Sequence, residues 1–176
     1  MPAKKTRTKR NASAKVRAIP SGFRTVTPYL TVQGGTKAID FYKKAFGAKE
    51  LAQETMPDGK ILHARIKIGD SIVMISDEFP ESYAKSPASL GSTTGTLHIY
   101  SGNVDKMWKL AVAAGARVIM PLDNQFWGER YGQLTDPFGH QWSLSMQVKM
   151  SAQEMETKRI AAMSMFANGE HPGKTE

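Results

Sequence analysis

The chain has no cysteine in its 176 residues, so disulfides and thiolate metal sites are both excluded. It has no apolar run near the roughly 20 residues that cross a bilayer. Its N-terminus is basic but lacks the apolar stretch of a secretory leader. These absences point to a reducing compartment, with the cytoplasm as the expected location and no membrane among the partners. Nucleotide-loop chemistry is also missing: Gly34-Gly35 is a short turn with no Lys-Ser or Lys-Thr behind it. The Gly-Xaa-Ser-Xaa-Gly turn of serine hydrolases does not occur.

Acid is absent from residues 1–18, which hold Lys4, Lys5, Arg7, Lys9, Arg10, Lys15 and Arg17. Those seven cations account for all but one unit of the net charge of +8, so residues 19–176 are nearly neutral. A run of one sign reads as a solvated, disordered tail over residues 1–22. The rival reading is a nucleic-acid-binding arm acting through residues 1–18 by phosphate contacts. That segment offers no aromatic ring to stack on bases. The chain as a whole is 40% hydrophobic, enough for one domain, or two very small modules sharing a core.

Periodicity divides residues 23–148 into two copies of one pattern. VTPYLTVQ (26–33) alternates as a strand, with Pro28 fitting an edge or a strand start. Thr36 is placed to cap a helix whose apolar stripe is Ile39, Tyr42 and Phe46, and Gly47 ends it. KELAQET (49–55), ILHARIKI (61–68) and SIVMIS (71–76) follow as strands joined by turns at Pro57-Asp58-Gly59 and Gly69-Asp70. Residues 77–93 read as a Ser- and Pro-rich loop. Then the pattern recurs. GTLHIYS (95–101) is a strand, Asn103 caps a helix through Val104, Met107, Trp108 and Ala111, and Gly115 ends it 68 residues after Gly47. ARVIMPL (116–122), RYGQLTD (130–136) and QWSLSM (141–146) close the second module, with 123–130 a loop and Pro137-Phe138-Gly139 a turn. The modules span 24–78 and 94–147. Residues 149–176 hold a trailing helix over 151–166, with Ser151 and Glu154 as a capping box, and a tail.

The expected architecture is α+β: two tandem βαβββ modules forming a curved eight-stranded mixed sheet around a cleft, plus a C-terminal helix. VTPYLTVQGGTKAIDFYKKAFGAKE, HARIKIGDSIVMISDE, QFWGERYGQLTDPFGHQWSLS and AQEMETKRIAAM occur in that order. Over roughly residues 24–166 they resemble the vicinal-oxygen-chelate superfamily, the glyoxalase/bleomycin-resistance/dioxygenase group, in its PhnB-like branch. The resemblance implies a homodimer with clefts shared between subunits.

Strand alternation says which side chains face the cleft. A turn at Gly69-Asp70 pairs 68 with 71, 66 with 73 and 64 with 75. Ala64, Ile66, Ile68, Val73 and Ile75 then lie under the helix, while His63, Arg65, Ile72, Met74 and Ser76 face the cleft with Thr27, Tyr29 and Thr31. In the second module Thr96, His98, Tyr100, Tyr131, Gln133, Gln141, Ser143 and Ser145 face it. The candidate ligand-binding set is Tyr29, His63, Arg65, Met74, His98, Trp127, Tyr131, Gln133 and Ser143, suited to a small polar or anionic ligand. His98 is the candidate catalytic residue, as a general acid or base, or else a hydrogen-bonded wall of the cavity. Arg65 either grips an anion or pairs with a nearby acid. Glu129 and Arg130 either pair with each other or lie on the surface. Asp136 is expected to fix its turn through its side chain.

Metal-dependent members of the superfamily use His or Glu at four matching positions, one on each of four cleft-facing strands. Those positions fall here on Thr27, Met74, His98 or Thr96 (depending on register) and Ser143. Divalent transition ions need imidazole and carboxylate ligands, so the expectation is no metal and no cofactor. The leading expectation is thus a metal-independent binder of a small molecule. The alternatives are a metal-dependent lyase, isomerase or dioxygenase whose ligands have moved to residues such as His63, His98 and Glu129, and nucleic-acid association through the tail.

Overall fold

The computed structural model describes residues 16–169. Most of the basic tail, residues 1–15, and the last seven residues lie outside them. The elements run β1 (Tyr29–Val32), α1 (Gly35–Phe46), β2 (Lys49–Thr55), β3 (Ile61–Ile68), β4 (Ser71–Asp77), α2 (Pro87–Leu90), β5 (Thr96–Tyr100), α3 (Val104–Ala113), β6 (Arg117–Asn124), β7 (Glu129–Thr135), β8 (Gln141–Gln147) and α4 (Ala152–Ala167). The βαβββ pattern occurs twice, and each copy makes its own four-stranded mixed sheet, ordered β1-β4-β3-β2 and β5-β8-β7-β6. In each, the first strand runs parallel to the fourth and the other pairs are antiparallel. The hairpin register is the expected one, with Ile68 opposite Ser71, Ile66 opposite Val73 and Ala64 opposite Ile75.

The helix α1 buries Ala38, Ile39, Phe41, Tyr42, Ala45 and Phe46, a stripe wide enough to cover its sheet and reach its neighbour. Its start differs from the expectation at Thr36. The cap position is Gly34, in the left-handed region with φ 90°, and no side chain of the helix caps it. Asp77 does so from the end of β4. Its Oδ1 accepts the amides of Gly34 and Gly35 at 2.8 Å each, and Oδ2 accepts that of Ile61 at 2.7 Å. A carboxylate at a helix N-terminus satisfies orphan amides and meets the positive end of the helix dipole. Gly35 is required there, because a Cβ would lie 2.6 Å from Ile61 Cγ1. The segment 77–93, expected to be loop throughout, contains the short α2 capped by Ser86.

The modules share a core where α1 packs against α3. Tyr42, Phe46 and Trp142 cluster there, with the Phe46 and Trp142 ring centres 4.7 Å apart. Asp136 organises the junction. Its Oδ1 accepts the amides of Phe138 and His140, both at 2.9 Å, which closes the turn. Its Oδ2 accepts Tyr42 Oη–H at 2.7 Å and Trp142 Nε1–H at 2.9 Å. Burial first, and then the Asp136 charge beside it, push the Tyr42 phenol well above its ordinary pKa, so it stays a donor. His140 Nε2–H donates to the Thr31 carbonyl at 3.0 Å and ties the second module's turn to β1. The helix α4 carries the expected capping box between Ser151 and Glu154 and buries no residue. Among the described residues no helix is long and apolar enough to cross a membrane.

Candidate functional site

The faces turned away from α1 and α3 carry the polar side chains. On the first sheet, one row across the strands is Tyr29, Met74, Arg65 and Ala52. His63 sits two residues from Arg65 on the same face, its Nδ1 3.1 Å from the Tyr29 hydroxyl. Ile72, on this face too, is only 5% exposed, because residues before β1 lie over it. A turn closed by the Phe23 amide and the Pro20 carbonyl brings the chain across the sheet. A Cβ on Gly22 would be 3.2 Å from Ile72 Cδ1. The Phe23 ring centre is 6.0 Å from the Arg65 guanidinium carbon, and Arg24 reaches Asp70 at 3.5 Å. Arg65 therefore does not pair with a nearby acid among the described residues. Its Nε is buried and lacks a hydrogen-bond partner.

On the second sheet the matching row is His98, Ser143, Gln133 and Met120. His98 Nδ1 lies 2.7 Å from Ser143 Oγ. Its ring meets Tyr100 edge-on at 4.5 Å and stacks on Tyr131 at 5.9 Å. Gln133 Nε2–H donates to Tyr131 Oη at 2.7 Å. Trp127 meets Tyr131 edge-on at 5.4 Å. With His98 nearby, Tyr100 and Trp127 of this group, together with Ser145, hold one carboxylate, Glu129. Its Oε1 accepts from Tyr100 Oη at 2.9 Å, and its Oε2 accepts from Ser145 Oγ at 2.7 Å and Trp127 Nε1 at 3.2 Å. The Ser145 hydrogen bond, then those of Tyr100 and Trp127 and the nearby His98, hold the carboxyl below the ordinary range, while partial burial works against them.

Glu129, named from the sequence only as a possible relocated metal ligand or a partner of Arg130 and not among the candidate ligand-binding residues, is the hydrogen-bonded carboxylate of this face. Of the two alternatives for Glu129 and Arg130, pairing with each other is not formed, because adjacent strand residues face opposite ways. Arg130 turns to the helix side and grips Asp105 of α3 through Nε and Nη2 at 2.7–3.0 Å. The loop expected over 123–130 is shorter: β6 runs to Asn124 and β7 starts at Glu129. The signal was present in the parity of 129, 131 and 133. Phe23 carried no comparable signal.

Between the modules lies a cavity of about 790 Å³. Thr27, Pro28 and Ile72 line it from the first module, and Thr96, His98 and Tyr100 from the second. Thr27 lies just before β1, its hydroxyl donating to the Arg24 carbonyl at 3.1 Å. The four superfamily metal positions thus offer two hydroxyls or one hydroxyl and an imidazole, a thioether at Met74 and a further hydroxyl at Ser143. That donor set does not fit a divalent transition ion. The suggested relocated set does not converge either. His63 is engaged with Tyr29 on the first sheet, while His98 and Glu129 share the second. Among the described residues no three His, Asp or Glu side chains come together in a metal-binding group.

Residues 24–144 match the model of the glyoxalase/bleomycin resistance protein/dioxygenase superfamily. An uncharacterized protein of Mycobacterium bovis is 42% identical over 148 residues, covering 82% of this chain and 95% of its own length. Protein YjdN of Escherichia coli is 28% identical over 142 residues, covering 69% of this chain and 94% of its own. Among solved structures, TioX from Micromonospora sp. ML1 superposes with a TM-score of 0.56 at 29% identity, covering 73% of this chain and all of TioX.

Proposed function

The chain belongs to the glyoxalase/bleomycin resistance protein/dioxygenase superfamily, and from that premise we propose that it is a PhnB-like member that binds a small polar or anionic molecule in its sheet cleft without a metal. The observation that carries this reading is the donor set at the superfamily's metal positions. Thr27, Met74 and Ser143 present neutral oxygen and sulfur atoms, and His98 already shares Nδ1 with Ser143 at 2.7 Å. A site of one imidazole and water does not hold a transition ion against competing ligands. The polar groups that remain suit recognition: Arg65 for an anionic group, and the hydroxyls and amide of Ser143, Tyr131 and Gln133 for neutral ones. The working form is a homodimer whose clefts are completed by the second copy, and no catalytic step is assigned to His98.

Calorimetric titration of tag-free protein with Zn²⁺, Ni²⁺, Mn²⁺ and Fe²⁺, with elemental analysis of the protein as purified, tests this. The expected result is no tight stoichiometric binding. Tight binding that disappears in His98→Ala would overturn the reading in favour of a metalloenzyme.

A further inference from the structure

The half of the cleft built on the second sheet has a carboxylate where a binder of anions would have a cation. Glu129 accepts three hydrogen bonds, all from neutral donors: Tyr100, Trp127 and Ser145. These hold the carboxylate in place without cancelling its charge. Two of the three bonds go to Oε2, so Oε1 keeps a lone pair free. No Lys or Arg forms an ion pair with Glu129 among the described residues. The neighbouring cation, Arg130, is committed to Asp105 at 2.7 Å on the opposite face. The rings beside the carboxylate are open to solvent, with Trp127 45% and Tyr100 66% exposed. Asp123, opposite Tyr131 across the strands, is already paired with Lys158 at 3.5 Å, which leaves Glu129 as the carboxylate of this corner without a Lys or Arg partner among the described residues.

We infer that the Trp127, Tyr100, Tyr131 and Glu129 corner is a recognition site for an organic cation, an ammonium group carried on a small apolar or planar body. A cation over an aromatic face is drawn by the ring quadrupole, and a fixed carboxylate at the polar edges of Tyr100 and Trp127 adds a charge of the matching sign. A purely apolar ligand would leave that carboxylate uncompensated, and an anion would be repelled by it. The inference rests on the cleft being a small-molecule site and adds the charge of the group that its second-sheet half accepts.

The test uses the full chain and three probes: benzyltrimethylammonium, its neutral carbon analogue of the same shape, neopentylbenzene, and the anion phenylphosphonate. The readout is the indole N–H resonance of Trp127 in ¹⁵N-correlated spectra, identified by its loss in Trp127→Phe. The expected result is a saturable shift with benzyltrimethylammonium only, weakened about tenfold in Glu129→Gln. Glu129→Gln keeps the side-chain shape and a carbonyl acceptor, and its melting curve checks that it folds. An equal response to neopentylbenzene, unchanged affinity in Glu129→Gln, or no response to the cation would each overturn the inference. Phenylphosphonate binding that depends on Arg65, with no response to the cation, would sink this inference and leave the broader reading of the cleft intact.

Discussion

The two sheet faces of the cleft are built to one plan and finished differently. The row Tyr29, Met74, Arg65 and Ala52 on the first occupies the same strand positions as His98, Ser143, Gln133 and Met120 on the second. Both faces hold a diagonal His–Tyr contact, with the residue types exchanged. Tyr29 of β1 meets His63 of β3 at 5.6 Å, and His98 of β5 meets Tyr131 of β7 at 5.9 Å. What differs is the charge and the cover. The first face carries Arg65 beneath Phe23 of the chain's own N-terminal approach, whereas the second carries Glu129 with its rings open to solvent. A duplicated scaffold thus offers two half-sites of opposite sign, one of them already roofed by this chain.

The comparison is broken most severely where the halves join. Asp136→Ala leaves the buried Tyr42 hydroxyl and Trp142 indole without their acceptor and opens the turn before β8. Stranding two buried donors costs about 1–3 kcal/mol each, so the variant should lose about 3 kcal/mol or more in urea unfolding, with both faces lost in one transition. Retained stability would show that the junction is held by ring packing alone. A smaller effect isolates the roof. Phe23→Ala should expose the Arg65 guanidinium and tighten phenylphosphonate binding about fivefold by calorimetry, and Arg65→Met should abolish the gain. If Phe23→Ala leaves the affinity unchanged, the segment is not a competitor for that face.

Much of this architecture was legible before any coordinates. Alternation and two-residue turns gave the hairpin register and put Arg65, His98 and Gln133 on the cleft side, because strand parity admits only two answers. The cap of α1 was not legible. Thr36 has the right chemistry in the right place, yet the acceptor is Asp77, 42 residues from Gly35, and no local pattern reports such a contact. Glu129 was misplaced by a strand boundary set one residue late, since a glutamate beside Gly128 looks like loop. Phe23 was hidden for a different reason. A segment with no periodicity packs through a single turn, and only the tertiary structure shows what lies beneath it.

The smallest effect concerns the charge of the second face. Glu129 is held below the ordinary carboxylate value by Ser145, Tyr100 and Trp127 and by the nearby His98. A carboxylate depressed in the folded state contributes stability that is complete above its unfolded value, about 4.3, and lost as pH falls through the folded value. The stability difference between the wild-type chain and Glu129→Gln should therefore be flat from about pH 7 to about pH 5 and shrink below about pH 4. The His98→Gln background keeps the imidazole out of the measurement. Because Glu129 is partly solvated, the change should be modest. A difference that persists at the acid end would mean that the carboxyl acts through its shape and hydrogen bonds, and that the second face does not depend on a negative charge.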